Sequence, residues 1–260
     1  MALLKTSNPA LGENTFRDLA NRGQFGGLGG LIDATDRMTL SGTVNKTGIL
    51  LLCAFATACY TWRQFLVSRD MSSIGGLMLL GVFGGFIVSL VTIYKQQWAP
   101  VTAPIYALLE GLFLGGISAM SELRYPGIGM EAVSLTFGTL FVLLLAYRSG
   151  LIQVTAKFRL GIIAATGGIM VFYLAQMALG FFGVHLAAIN GSTPLSILFS
   201  LFVVAIAALN LVLDFDFIER GVSVGAPKYM EWYGAFGIMV TLVWLYLEIL
   251  RLLSKMRSRN

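Results

Sequence analysis

Glu110, Glu131, Asp214, Asp216 and Glu248 are acids set in or at the edges of long apolar stretches. An ionisable group in hydrocarbon costs about 3 kcal/mol or more, so each is a candidate functional group unless it lies at a boundary where water or a counter-charge reaches it. Asp214 stands in Ala-Leu-Asn-Leu-Val-Leu-Asp-Phe-Asp-Phe-Ile-Glu-Arg, about one turn before the charged end of its stretch. On a helix Asn210 and Asp214 share a face at i and i+4, whereas Asp216 points about 200° away from Asp214. The two aspartates therefore do not form one site. Asp216 faces Arg220 at i+4, the spacing of an ion pair at a helix end. Burial penalises the charged form of a carboxyl, so protonation of Asp214 is a physical basis for a pH-dependent gate or a cation site.

Glu110 lies in Pro104-Ile-Tyr-Ala-Leu-Leu-Glu-Gly-Leu-Phe-Leu-Gly-Gly, in the middle of another stretch, with Tyr106 and Ser118 on its helical face. Its expected role is in an ion or proton path; the alternative is a neutral glutamate hydrogen-bonded to another helix. Glu131 follows Pro126-Gly127, where an acid suits a helix N-terminus. Glu248 has Arg251 at i+3 and is expected at the interface. It lies about 25 Å in depth from Asp214 if both helices span fully, whereas Glu231 is much nearer that level.

Other chemistries lack their residues. The single histidine, His185, sits in a glycine-bounded loop, which leaves no His-based zinc site or His-dependent triad within the membrane. The last apolar stretch carries no lysine for a retinal Schiff base, and no Walker or dinucleotide glycine pattern occurs in context. Catalysis is not expected, and no cofactor is called for. Cys53 and Cys59 lack redox or zinc spacing and read as free thiols.

The elements that must position these acids follow from composition. Charged residues make up 12% of 260 and mean hydropathy is +0.79, against about a quarter charged in a soluble domain. A span needs roughly 20 apolar residues. Such runs occur at 47–65, 73–94, 102–121, 128–147, 160–183, 194–217 and 232–250. Their length demands helices, not barrel strands, and predicts an all-α integral membrane protein: a seven-helix transmembrane bundle over 47–253. Residues 1–46 are a polar, Gly-rich tail without the apolar core of a signal peptide, and 254–260 form a basic tail. Gly81-Val-Phe-Gly-Gly85 and Gly111-Leu-Phe-Leu-Gly115 have the small-residue spacing of helix contacts.

The formal charge of +5 does not indicate nucleic acid, because the basic residues stand singly between runs and form no stripe. They bear on topology instead. With the tail inside, that side holds Lys5, Arg17, Arg22, Arg37, Lys46, Lys95, Arg148, Lys157, Arg159, Arg220 and Lys228; the other holds Arg63, Arg69, Arg124, Arg251, Lys255, Arg257 and Arg259. The bias favours the tail inside. The basic C-terminus opposes it, and a re-entrant last hairpin would put both ends inside.

Glu110-Gly111 in the third run, Asp214 at the end of the sixth, Leu245-Tyr-Leu-Glu-Ile-Leu-Arg251 in the seventh and the Ser7-Asn8-Pro9 start resemble the transmembrane Bax inhibitor motif family, in its bacterial YccA-like branch. The resemblance covers most of the chain. It implies six outer helices in two three-helix layers around the seventh, the inner (cell) membrane of a bacterium, and a pH-sensitive calcium leak down its gradient. In calcium-leaking members an aspartate on the sixth helix and one on the seventh share a proton and help hold the pore closed. Asp214 matches the first, four residues before Ile218; Thr241 stands at the second position. Without that second aspartate Asp214 is tuned by burial alone, or by Glu231 or Glu110 approaching from another helix, with Asp216 a further secondary acid.

Calcium takes about six to eight oxygens, so Asp214 with Asn210 and backbone carbonyls would make only a transient, low-affinity site, which suffices for a leak. The expected function is a passive cation leak, with calcium the transported species, sensed through Asp214, Asn210 and Glu110. The alternative is a non-conducting regulator that binds membrane proteins such as a protease or a translocation component. In either case the bilayer is the protein's surroundings.

Overall fold

The computed structural model describes residues 36–182, 191 and 193–259. Most of the expected tail, and His185, lie outside these residues. Among the described residues seven helices are long and apolar enough to cross a membrane. They are α1 (Leu40–Ser68), α2 (Ser72–Tyr94), α3 (Ala99–Arg124), α4 (Ile128–Arg148), α5 (Ala156–Phe181), α6 (Pro194–Ser223) and α7 (Met230–Arg259). A 3-10 turn, Gln96–Trp98, precedes α3.

Several helices outrun the apolar windows that announced them, because capping groups and not hydropathy end them. Thr39 caps α1, its hydroxyl accepting from Gly42 N at 3.0 Å, so α1 begins within the stretch expected to be tail. Thr155 caps α5 through Phe158 N at 3.2 Å. The Glu122 carboxylate accepts from Gly127 N at 2.6 Å and Gly129 N at 3.2 Å, closing the short α3–α4 turn where Gly127 takes φ 86°. The basic residues expected as a C-terminal tail continue α7 to Arg259.

Two compact units are distinguished. The first comprises residues up to Met120 together with Asp214–Val240; the second comprises Ser121–Leu213 together with Thr241–Asn260. The first is built on glycine contacts. A Cβ at Gly111 would overlap the Ala54 backbone and the Thr57 hydroxyl, and one at Gly115 would lie 2.7 Å from Ala58 Cα, so α3 and α1 touch backbone to backbone. Thr57 adds a hydrogen bond to Leu108 O at 2.8 Å. A Cβ at Gly81 would lie 2.6 Å from Leu109 O. That glycine belongs to a π-helical turn, Leu80–Gly84, inside α2, an irregularity that the glycine repeat foreshadowed only as a contact.

In the second unit Ile169 of α5 packs with Val203 and Ile206 of α6, covered by Phe199, Tyr173 and Trp244. α7 is the most enclosed of the seven, with 67% of its apolar window buried against 11% for α5. It is 30 residues long and uninterrupted, about 45 Å at the helical rise and longer than the roughly 30 Å hydrocarbon core. That length suits a full seventh crossing better than a re-entrant hairpin.

Candidate functional site

Asp214 is fully buried on α6, with Leu211, Val212, Leu213 and Phe215 buried around it in sequence. Asn210, one turn earlier, is also buried and is committed elsewhere: its Nδ2 donates to Thr166 Oγ1 on α5 at 2.9 Å and to Ile206 O at 2.8 Å. The shared helical face predicted from spacing exists, but the amide of Asn210 is used to join α6 to α5 and to bond its own helix one turn back. Asp216 is paired with Arg220 at i,i+4, with the guanidinium Nε also donating to Asp216 O at 3.1 Å. It is the helix-end pair that the spacing predicted.

Glu110 occupies the middle of α3 and is half-buried, hydrogen-bonded to Tyr106 one turn before it. Across the helix contact it lies against Gly85, where a Cβ would approach Glu110 Oε1 to 2.9 Å, immediately after the π-helical turn of α2. Tyr106 in turn packs edge-on against Phe236 of α7 at 4.9 Å between centroids. An acid and a phenol are thus set at mid-span among glycines and an aromatic.

Glu231 is fully buried in the first turn of α7. Its Oε1 accepts from Thr39 N at 2.8 Å and Thr39 Oγ1 at 2.7 Å, with Lys228 Nζ at 3.0 Å, and its Oε2 is paired with Lys46 of α1. Backbone pairing reinforces the join: Met38 N donates to Ala226 O at 2.7 Å and Lys228 N to Asp36 O at 2.9 Å. These bonds tether the start of α7 to the start of α1. Sequence spacing carried no sign of this, because Lys46 and Glu231 are 185 residues apart.

Glu248 does pair with Arg251, at 3.1 Å to both carboxylate oxygens. Beyond that pair the acid is enclosed: the residue is 2% exposed, and Tyr173 of α5 donates to its Oε1 at 3.0 Å. Tyr173 gave no signal in the sequence beyond being an aromatic in an apolar run. Glu131 is half exposed in the first turn of α4 and receives Arg257 Nη2 at 2.6 Å, while Arg257 Nη1 donates to Pro126 O. Thr241, at the position of the absent second aspartate, is buried. Among the described residues no three His, Cys, Asp or Glu gather as a metal site.

Seven apolar crossings, with carboxyl groups buried inside them, define a multi-pass integral membrane protein in contact with the bilayer. The family model described as Bax inhibitor 1 like matches residues 8–258, and the chain belongs to that family. Comparison with curated proteins and with solved structures found no match.

Proposed function

We propose that this protein is a pH-sensitive passive leak for cations, with calcium as the ion, in the cell membrane of a bacterium, and that protonation at Asp214 gates it. The observation that carries this reading is a fully buried carboxyl on a membrane-crossing helix, which is costly to keep unless its charge is used. Deprotonated, Asp214 offers a fixed negative charge and oxygen ligands to a divalent cation; protonated, it loses both attractions. Glu110 with Tyr106 adds a second polar station at mid-span. The lack of a gathered acid cluster among the described residues suits transit better than storage, because an ion held by many carboxylates leaves slowly. The role is conduction and not catalysis.

The test is calcium entry into proteoliposomes carrying an internal calcium indicator, followed over a pH series for the native chain and Asp214→Asn. Flux should rise with pH in the native protein and be small and flat in the variant. Flux absent at every pH, or the same in both proteins, overturns the leak and leaves the non-conducting regulator of membrane proteins.

A further inference from the structure

Glu110, in the first unit, is an acid that neither a counter-charge nor a helix-end position accounts for. It stands 11 residues after Ala99 and 14 before Arg124 on α3, about 17 Å and 21 Å along the axis from the two ends. Water at either boundary is therefore remote. Ile105 and Leu108 are exposed on the outer side of α3, and Glu110 lies about 200° round from Leu108, so it is directed inward. From α2, Gly85 closes on the carboxyl, a Cβ there falling 2.9 Å from Glu110 Oε1, directly after the π-helical turn Leu80–Gly84. From α7 comes the Phe236 ring, edge-on to the buried Tyr106, with Tyr233 beside Phe236 at 6.2 Å between centroids. From α1, Ala54, Thr57 and Ala58 meet Gly111, Gly115 and Leu108 O. Among the described residues, Tyr106 is the titratable group that acts on Glu110, and Glu110 the one that acts on Tyr106.

Two other buried acids differ from it in their partners. Glu231 has Lys46 and Lys228, and Glu248 has Arg251. A carboxylate at mid-span with only a phenol beside it would hold a full charge in hydrocarbon, at a cost of about 3 kcal/mol or more. A carboxylic acid carries both a donor and an acceptor, and so does a phenol. The two can therefore satisfy each other while neutral, with no cation to draw the proton away.

We propose that Glu110 and Tyr106 form a proton-binding couple in the first unit, with the proton resting on Glu110 at neutral pH and the pair uncharged. Its ligand is a proton and not a metal ion, because one acid and one phenol fall far short of the roughly six to eight oxygens that calcium takes. The consequence for flux rests on the cation-leak reading: Glu110 is a neutral polar group at neutral pH and adds a charge only when alkaline pH removes its proton. The couple itself is tested without flux.

The proton is read by infrared difference spectroscopy of the purified protein in lipid, native chain minus Glu110→Gln, over a pH series in ordinary and heavy water. At neutral pH the native chain should show the carbonyl stretch of a protonated carboxyl, shifted in heavy water. That band should be missing from Glu110→Gln and lost from the native chain at alkaline pH. Tyr106→Phe keeps the ring against Phe236 and removes the hydroxyl; its band should persist at neutral pH at a shifted frequency, which tests the couple even if Glu110→Gln folds poorly. In proteoliposomes Glu110→Gln should match the native calcium flux at neutral pH and fall below it only at alkaline pH. A carboxylate band in place of the carbonyl stretch at neutral pH overturns the proton site, and an unshifted band in Tyr106→Phe overturns the coupling to the phenol. Flux of Glu110→Gln already below the native at neutral pH makes Glu110 a charged station and overturns the proposal. The expected bands with no flux from any protein at any pH uphold the couple and overturn the leak.

Discussion

The Glu231 carboxylate at the start of α7 is fully buried against Lys46 of α1, whose own side chain is only 16% exposed. Removing one partner of a buried ion pair strands the other and costs about 3 kcal/mol. Glu231→Gln should therefore lower the midpoint of thermal unfolding in detergent, and Lys46→Met should lower it less, because Lys228 and Thr39 still hold the carboxylate. The double variant should lose less than the two single losses combined, because the stranded charge is gone. Additive losses would show that the pair is not the tether.

The glycines fall into two kinds, and substitution should separate them. A methyl at Gly111 meets the Ala54 backbone, whereas nothing lies within 4 Å of one at Gly168. Overpacking a tight contact costs about 1–3 kcal/mol, while Gly to Ala at an open helical position removes a cost of about 1 kcal/mol. Gly111→Ala should lower unfolding stability, and Gly168→Ala should leave it equal or higher. The reverse order would refute the α1–α3 backbone contact.

The uninterrupted α7 is long enough to carry its two ends to opposite sides of the membrane. The tail-inside orientation favoured by the loop Lys and Arg would put the Lys228 end in the cytoplasm, against the basic C-terminus. In a background with Cys53 and Cys59 changed to Ser, a cysteine at Lys228 should react with a membrane-impermeant maleimide only after the cells are opened. A cysteine at Arg259 should react in intact cells. Labelling of both positions from the same side would contradict a full seventh crossing.

What the sequence determined by itself was the crossings and the ion pairs along a single helix. Seven crossings follow from run length, since a helix in hydrocarbon must satisfy its own backbone. The Asp216–Arg220 and Glu248–Arg251 pairs follow from spacing on one helix. Helix ends were less legible, because Thr39 and Glu122 end or begin helices through hydrogen bonds that hydropathy does not report.

The tertiary structure alone decided what each acid faces. Glu231 is a tether through Thr39 and Lys46, Glu248 is enclosed by Tyr173, and Glu110 lies against Gly85 beside a π-helical turn. Each depends on which helix faces meet and at what level. In an apolar bundle any lipid-compatible face can serve as a contact, so residue type along one helix does not choose the partner. Close packing and the need to satisfy buried polar groups make that choice only when the helices come together.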